Sequence, residues 1–289
     1  MWILLALLCA LLGGTSDAIS KQLLVRSNER VVAWAKMAFT LPWMLLGPLL
    51  AGWPALTREF WILIVLMAPL ELLSYICYLK AIRTTPISLV IPFLAFTPML
   101  SALTAWIFLG ERLSPLGTVG VLSVTVGAYV LQAELVPQGL LEPIRAMFRV
   151  PGIRLMLLTA AIYGLTSTLG KRAIQLSSPA TFPFLYFSLD TFLLTGLIGR
   201  QPKGIPGAVT EVRGQWKLYL LDGVIFAAAL FAHAYGIRLA PVAYFISIKR
   251  LSLVVSVLYG GLLYREEAFG ARLAGTALMV AGVILIGLG

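Results

Sequence analysis

The sequence predicts an all-α integral membrane protein: ten transmembrane helices in two inverted five-helix repeats. Three observations lead there: long uninterrupted apolar runs, an internal repeat, and a few ionisable residues stranded inside apolar stretches. Of 289 residues, 60% are hydrophobic and 12% charged, and the mean hydropathy is +0.95. From Thr84 to Gly110 there are 27 residues without a charge, and from Leu113 to Ala133 there are 21. A membrane-crossing helix needs about 20 such residues, whereas a soluble core helix is shorter and keeps a polar face.

Charged or Pro/Gly-rich breaks divide the chain into apolar spans at 2–19, 31–51, 61–82, 86–109 and 115–132, then 152–174, 181–198, 216–236, 241–264 and 270–288. Residues 1–132 form one five-span unit and 152–289 the other, joined by a connection over 133–151. In that connection Leu141, Ile144 and Phe148 share one helical face and Arg145 and Arg149 another, the pattern of an interfacial helix lying on anionic headgroups. Six of the seven tryptophans (Trp2, Trp34, Trp53, Trp61, Trp106, Trp216) fall near span ends, as an interfacial aromatic belt requires. The first span has no Lys or Arg before it and no small-residue cleavage site after it, so it is read as a retained span and not a signal peptide. Cys9 and Cys77 lie inside spans and read as buried small residues.

A net charge of +10 would suggest nucleic acid in a soluble chain. Here it is read through the loops. Nineteen of the 22 Lys/Arg residues lie in loops or at span ends, 14 in the odd-numbered loops and five in the even ones. The positive-inside rule places the odd loops in the cytoplasm and both termini outside.

The second half restates the first. A shift of 155 residues lays Ile82-Arg83 on Ile237-Arg238, Pro86 on Pro241 and Ser101 on Ser256. The same shift lays Leu103 on Leu258, Glu111 on Glu266, Gly120 on Gly275 and Gly127 on Gly282. Earlier in each copy a shift of 150 matches Gly14 to Gly164 and Lys21 to Lys171. Five spans per copy is an odd number, so the copies cross the membrane in opposite directions, the pattern of alternating-access carriers with a midplane site between the repeats. The glycines recurring at seven-residue spacing are read as sites of close helix packing.

These residues carry a family resemblance. The fourth span opens Pro86-Ile-Ser-Leu-Val-Ile-Pro92, and Trp106-Ile-Phe-Leu-Gly-Glu-Arg-Leu-Ser114 closes it, with Gly120 and Gly127 following. The ninth reads Ala240-Pro-Val-Ala-Tyr-Phe-Ile-Ser-Ile-Lys-Arg250, with Arg265-Glu266, Gly275 and Gly282 behind it. Over its whole length the chain resembles the ten-helix drug/metabolite transporter superfamily of the EamA type. The resemblance implies two five-helix halves around a central cavity, no cofactor, and transport of small organic solutes; superfamily membership names no substrate. Relatives are expected to keep both termini in the cytoplasm, against the loop charges of this chain, so the side of the termini is left open. Four-helix relatives carry a coupling carboxylate eight residues before a lysine of the first helix. The positions eight before Lys21 and Lys171 are Gly13 and Tyr163, so that site is absent.

Ionisable groups inside spans mark solute or ion pathways by default. Glu71, Ser74, Tyr75 and Tyr78 share a face of the third span, and the repeat pairs Tyr78 with His233 on the eighth. Glu71, Tyr75, Tyr78 and His233 are therefore expected to line a common central space, with packing between helices the other reading of Glu71 and His233. Asp222 is expected nearer the interface. Asp190 on the seventh span follows Tyr186 by four residues and is a further candidate; its counterparts, Lys36 and Thr40, lie on the second span, where Lys36 could snorkel. Lys249 and Arg250 lie eight and nine residues into the ninth span and diverge by about 100° around the helix, so at most one is expected to point straight down a narrow cavity axis. The phosphate-translocating and nucleotide-sugar branches resemble this chain in carrying a Lys-Arg pair there that contacts substrate phosphate. The fourth-helix lysine of the phosphate translocators is missing, since Leu94 is the equivalent of Lys249. Neutralisation of the pair by Glu71 or Asp190 is the alternative.

No catalytic or metal-binding constellation is apparent, with one His and no paired Cys/His ligands, so no enzyme, metal or nucleic-acid function is expected. The expected function is secondary transport or export of a small polar organic metabolite, an anionic one if Lys249 and Arg250 bind it. It would operate by alternating access in the cell (inner) membrane, as a monomer or weak homodimer in the bilayer. The alternative is a lipid-carrier flippase or membrane assembly subunit.

Overall fold

The computed structural model describes residues 1–85, 90–130, 149–252 and 269–289, and among these it is helical, without a strand. The helices of the first half are α1 (Trp2–Leu24), α2 (Glu29–Ala51), α3 (Arg58–Thr84), α4 (Thr97–Leu109) and α5 (Pro115–Val130). Those of the second are α6 (Pro151–Gln175), α7 (Phe182–Gly199), α8 (Gly204–Arg213), α9 (Trp216–Arg238), α10 (Val242–Lys249) and α11 (Phe269–Leu288). Six of them, α1, α2, α3, α6, α7 and α9, are long and apolar enough to cross a bilayer. The expected interfacial helix around 141–149 and most of the connection 133–151 lie outside the described residues, as do 86–89 and most of the second part of the ninth span.

Local sequence sets the boundaries. Asn28 caps α2, its Oδ1 accepting from the backbone N–H groups of Arg30 and Val31, both at 3.0 Å. Thr57 caps α3 through the Phe60 N–H at 3.2 Å, and Pro151 opens α6 where a missing N–H costs nothing. Pro42, Pro48 and Pro69 sit inside helices, which neighbouring helices make tolerable in a membrane bundle. Three differences from the sequence reading matter. Helix α1 runs to Leu24, five residues past the predicted end, which takes Ser20 into the bundle and leaves Asp17 well inside the helix. The 199–215 loop contains α8, which buries Ala208 and Val212 and exposes Ile205 and Val209. The fourth span is not one helix, because a 3-10 segment (Ile91–Phe96) precedes α4.

The halves interlock through repeat-related pairs. Helix α1 packs on α9, as its counterpart α6 packs on α3, and the counterparts α2 and α7 pack on each other. The counterparts α5 and α11 meet most closely. A Cβ on Gly120 would lie 2.7 Å from the Gly282 carbonyl oxygen, and one on Gly127 would lie 2.8 Å from that of Gly275. Only glycine permits that approach. Because 120 meets 282 while 127 meets 275, the two helices run antiparallel.

Candidate functional site

Helices from both halves surround a central cavity with about 180 Å3 of water-accessible space. Six of the seven residues anticipated from the sequence line it: Glu71, Tyr75, Tyr78, His233, Lys249 and Arg250. Tyr75 and Tyr78 lie with rings nearly parallel, 6.4 Å between centroids. The hydroxyls of Tyr75, Tyr78 and Tyr186 are buried without a hydrogen-bond partner among the described residues, three polar groups that a ligand or water could engage.

Asp190 is the exception. It does not line the cavity: it is wholly buried one turn past Tyr186, and neither carboxylate oxygen has a hydrogen-bond partner among the described residues. Tyr186, four residues earlier on α7, takes the lining position instead. Sequence depth located Asp190 in the bundle, but its orientation depends on how α7 packs against α2 and α3.

The cations sit where a helix stops. Helix α10 ends at Lys249, and a turn at Arg250 and Leu251 follows. Both side chains nonetheless line the cavity. The last carbonyls of a helix carry partial negative charge, which favours cations there. Arg250 Nη2 donates to Thr97 Oγ1 at 3.0 Å, while its Nε lacks a partner among the described residues. Lys249 Nζ lies 3.4 Å from His233 Nδ1, which must accept because an ammonium only donates. Neither cation forms a direct ion pair with Glu71, Asp190 or another carboxylate among the described residues. The repeat places the 3-10 segment before Thr97 opposite the turn before Ser252, and broken helices at matching positions of inverted halves mark transporter binding sites.

In the same cavity, Glu71 Oε2 accepts from Thr166 Oγ1 at 2.9 Å. Asp17 also lines the cavity and was missed by the sequence reading. An ionisable residue in the first apolar stretch was the available signal, hidden because the span was drawn to end two residues later. Lys36 and Asp222 correct the sequence reading more sharply. Lys36 does not snorkel and Asp222 is not interfacial: they are 2% and 0% exposed and lie 3.2 Å apart as an ion pair. Asp222 Oδ1 accepts from Ser16 Oγ at 2.5 Å, and Lys36 Nζ donates to Ser16 Oγ at 2.5 Å and Ser20 Oγ at 2.9 Å.

The Leu-Gly-Glu-Arg element acts at the rim. Gly110 takes a left-handed φ of 67°, which ends α4. Glu111 then accepts from Lys171 Nζ at 2.5 Å and from the Val242 N–H at 2.8 Å, at the start of α10. Lys171 also donates to the Ala240 carbonyl at 2.6 Å. The motif thereby ties the end of α4 to α6 and α10.

The sequence matches the EamA-like transporter family over residues 1–132 and 150–288. The chain belongs to this family. An EamA-like membership makes the protein a multi-pass membrane transporter. Among solved proteins, one known from its crystal structure superposes with a TM-score of 0.75 at 19% identity, over 99% of this chain and 96% of that one. At that identity the likeness speaks for the fold alone. No curated protein matches the sequence.

Proposed function

We propose that this EamA-like transporter is a secondary carrier, and not an enzyme, for a small polar metabolite bearing an anionic group. It would work by alternating access in the cell membrane through ten spans in two inverted five-helix repeats. The antiparallel packing of α5 on α11 and the repeat-related pairing of the other helices support that architecture. One observation carries the substrate reading: Lys249 and Arg250 face the cavity without a carboxylate partner among the described residues. An uncompensated cation at membrane depth costs about 2.5–3.5 kcal/mol even on the lenient insertion scale. A bound anion offsets that cost, with Arg250 supplying a planar two-point fork and Lys249 a point charge. Glu71 and the free tyrosine hydroxyls then accept or donate to the rest of the solute.

A thermal-shift screen of the purified protein against phosphorylated, carboxylate and zwitterionic metabolites tests this reading. Stabilisation by anionic or zwitterionic compounds, lost in Arg250→Ala, supports it. Equal responses of wild type, Lys249→Ala and Arg250→Ala to every hit would refute the assignment of these cations to substrate.

A further inference from the structure

The described surroundings of Lys36 are suited to hold a cation. Its ammonium touches two hydroxyls of α1 and faces the Asp222 carboxylate of α9. It also stands 4.4 Å from the centre of the Phe226 ring, within cation–π range. The lysine itself comes from α2, so a charge is clasped between elements of both halves. Although buried, Ser16, Lys36 and Phe226 line the central cavity, and Asp17 adds a second carboxylate to the same wall. Two hydroxyls, one carboxylate and an aromatic face suit a small monovalent cation. The set is too poor in oxygen and charge for a divalent one, which takes six or more oxygens.

The repeat-related contact of α6 with α3 shows what the scaffold does without the lysine. There Thr166 stands in for Ser16 and donates to Glu71, an acid one turn along from the counterpart of Asp222. Tyr186 replaces Lys36, and Gly170 replaces Ser20. The hydroxyl-to-carboxylate bond persists, but the cation and its second hydroxyl are gone together.

We propose that the Lys36 ammonium stands in for a monovalent coupling cation, so that this site exchanges none, and that removing the ammonium opens the site to an external cation such as methylammonium or Na+. Calling it a coupling position rests on the transport reading; the cation site itself rests on the geometry alone.

The test is the melting temperature of the full-length protein in detergent, in choline chloride and with methylammonium or sodium chloride replacing it at constant ionic strength. Wild type should not respond. Lys36→Ala should rise by roughly 3 °C or more with methylammonium or Na+, and the added change Asp222→Asn should abolish the response. If Lys36→Ala folds only when expressed and purified with methylammonium, that recovery is the same result. A variant that responds to neither cation, or stays unfolded in both, overturns the proposal. So does a Na+ response of the wild type that Asp222→Asn removes. In liposomes, Lys36→Ala should make substrate uptake depend on the added cation. If uptake fails in wild type as well while the melting shift persists, the transport reading falls and the cation site stands.

Discussion

The contact of α1 with α9 and the contact of α6 with α3 descend from the same half-sequence, yet they treat a buried acid differently. In the first, Ser16 donates to Asp222 and Lys36 neutralises it. In the second, Thr166 donates to Glu71, and the lysine position holds Tyr186, so no cation is ion-paired with that acid among the described residues. A duplicated scaffold has thus kept its hydroxyl–carboxylate bond in both places and let the charges diverge. One contact between the halves closes its electrostatics internally. The other leaves a carboxylate lining the same cavity as two cations that have no carboxylate ion pair among the described residues.

The largest effect should come from breaking the closed side. Asp222→Asn leaves Lys36 charged, buried and unpaired, and should cost about 3–5 kcal/mol of stability, read from denaturation in detergent. The double change Lys36→Met with Asp222→Asn should recover most of it, because no charge is then left alone. A double variant as unstable as Asp222→Asn would show that the pair is not the reason for the loss.

Next comes the open side. Arg250 and its counterpart Ala95 differ as completely as Lys36 and Tyr186 do. Losing a charged hydrogen bond is worth about 1.5–3 kcal/mol, so Arg250→Ala should weaken binding of an anionic hit by roughly 10- to 100-fold. Arg250→Lys should retain monodispersity and lose part of that affinity, the fork being replaced by a point charge. Titration calorimetry separates these outcomes, and unchanged affinity in both variants would place the anion elsewhere.

Where the halves remain alike, substitutions should act alike. Gly127→Ala and Gly282→Ala, equivalent positions of the repeat, would drive a Cβ to 2.8 and 2.7 Å from a carbonyl oxygen across the α5–α11 contact. Overpacking of that kind costs about 1–3 kcal/mol, and the two losses should agree. A large inequality between their melting temperatures would argue against a shared two-fold contact.

Smallest is Glu71→Gln. The amide oxygen can still accept from Thr166, and no cation is left behind, so stability should change by less than about 1 kcal/mol. A loss comparable to that of Asp222→Asn would erase the contrast between the two regions.

Much of this was legible in the chain. The apolar runs and the 155-residue register foretold the helical class, the pairing of halves and the glycine contact. Helical spacing correctly put Glu71, Tyr75 and Tyr78 on one face, because three to four residues per turn is a local rule. His233 followed from the repeat. Asp222, Lys36, Asp190 and Asp17 were misread or missed for one reason: depth along a span says nothing about which neighbour a side chain meets. Asp222 looked close to a span end, but α1 and α2 bring Ser16 and Lys36 to it. Asp190 looked central, but Tyr186 takes the lining position on α7.

By itself the sequence determined the membrane setting, the duplication and the set of ionisable groups held at depth. These follow from transfer cost, chain length and periodicity, which depend on the order of residues alone. Tertiary structure decided the partnerships. Whether a buried charge is balanced, by Lys36 for Asp222 or by Lys171 for Glu111, or left facing the cavity as at Arg250, depends on distances of a few ångströms between helices remote in sequence. Only the packing of the two halves sets those distances.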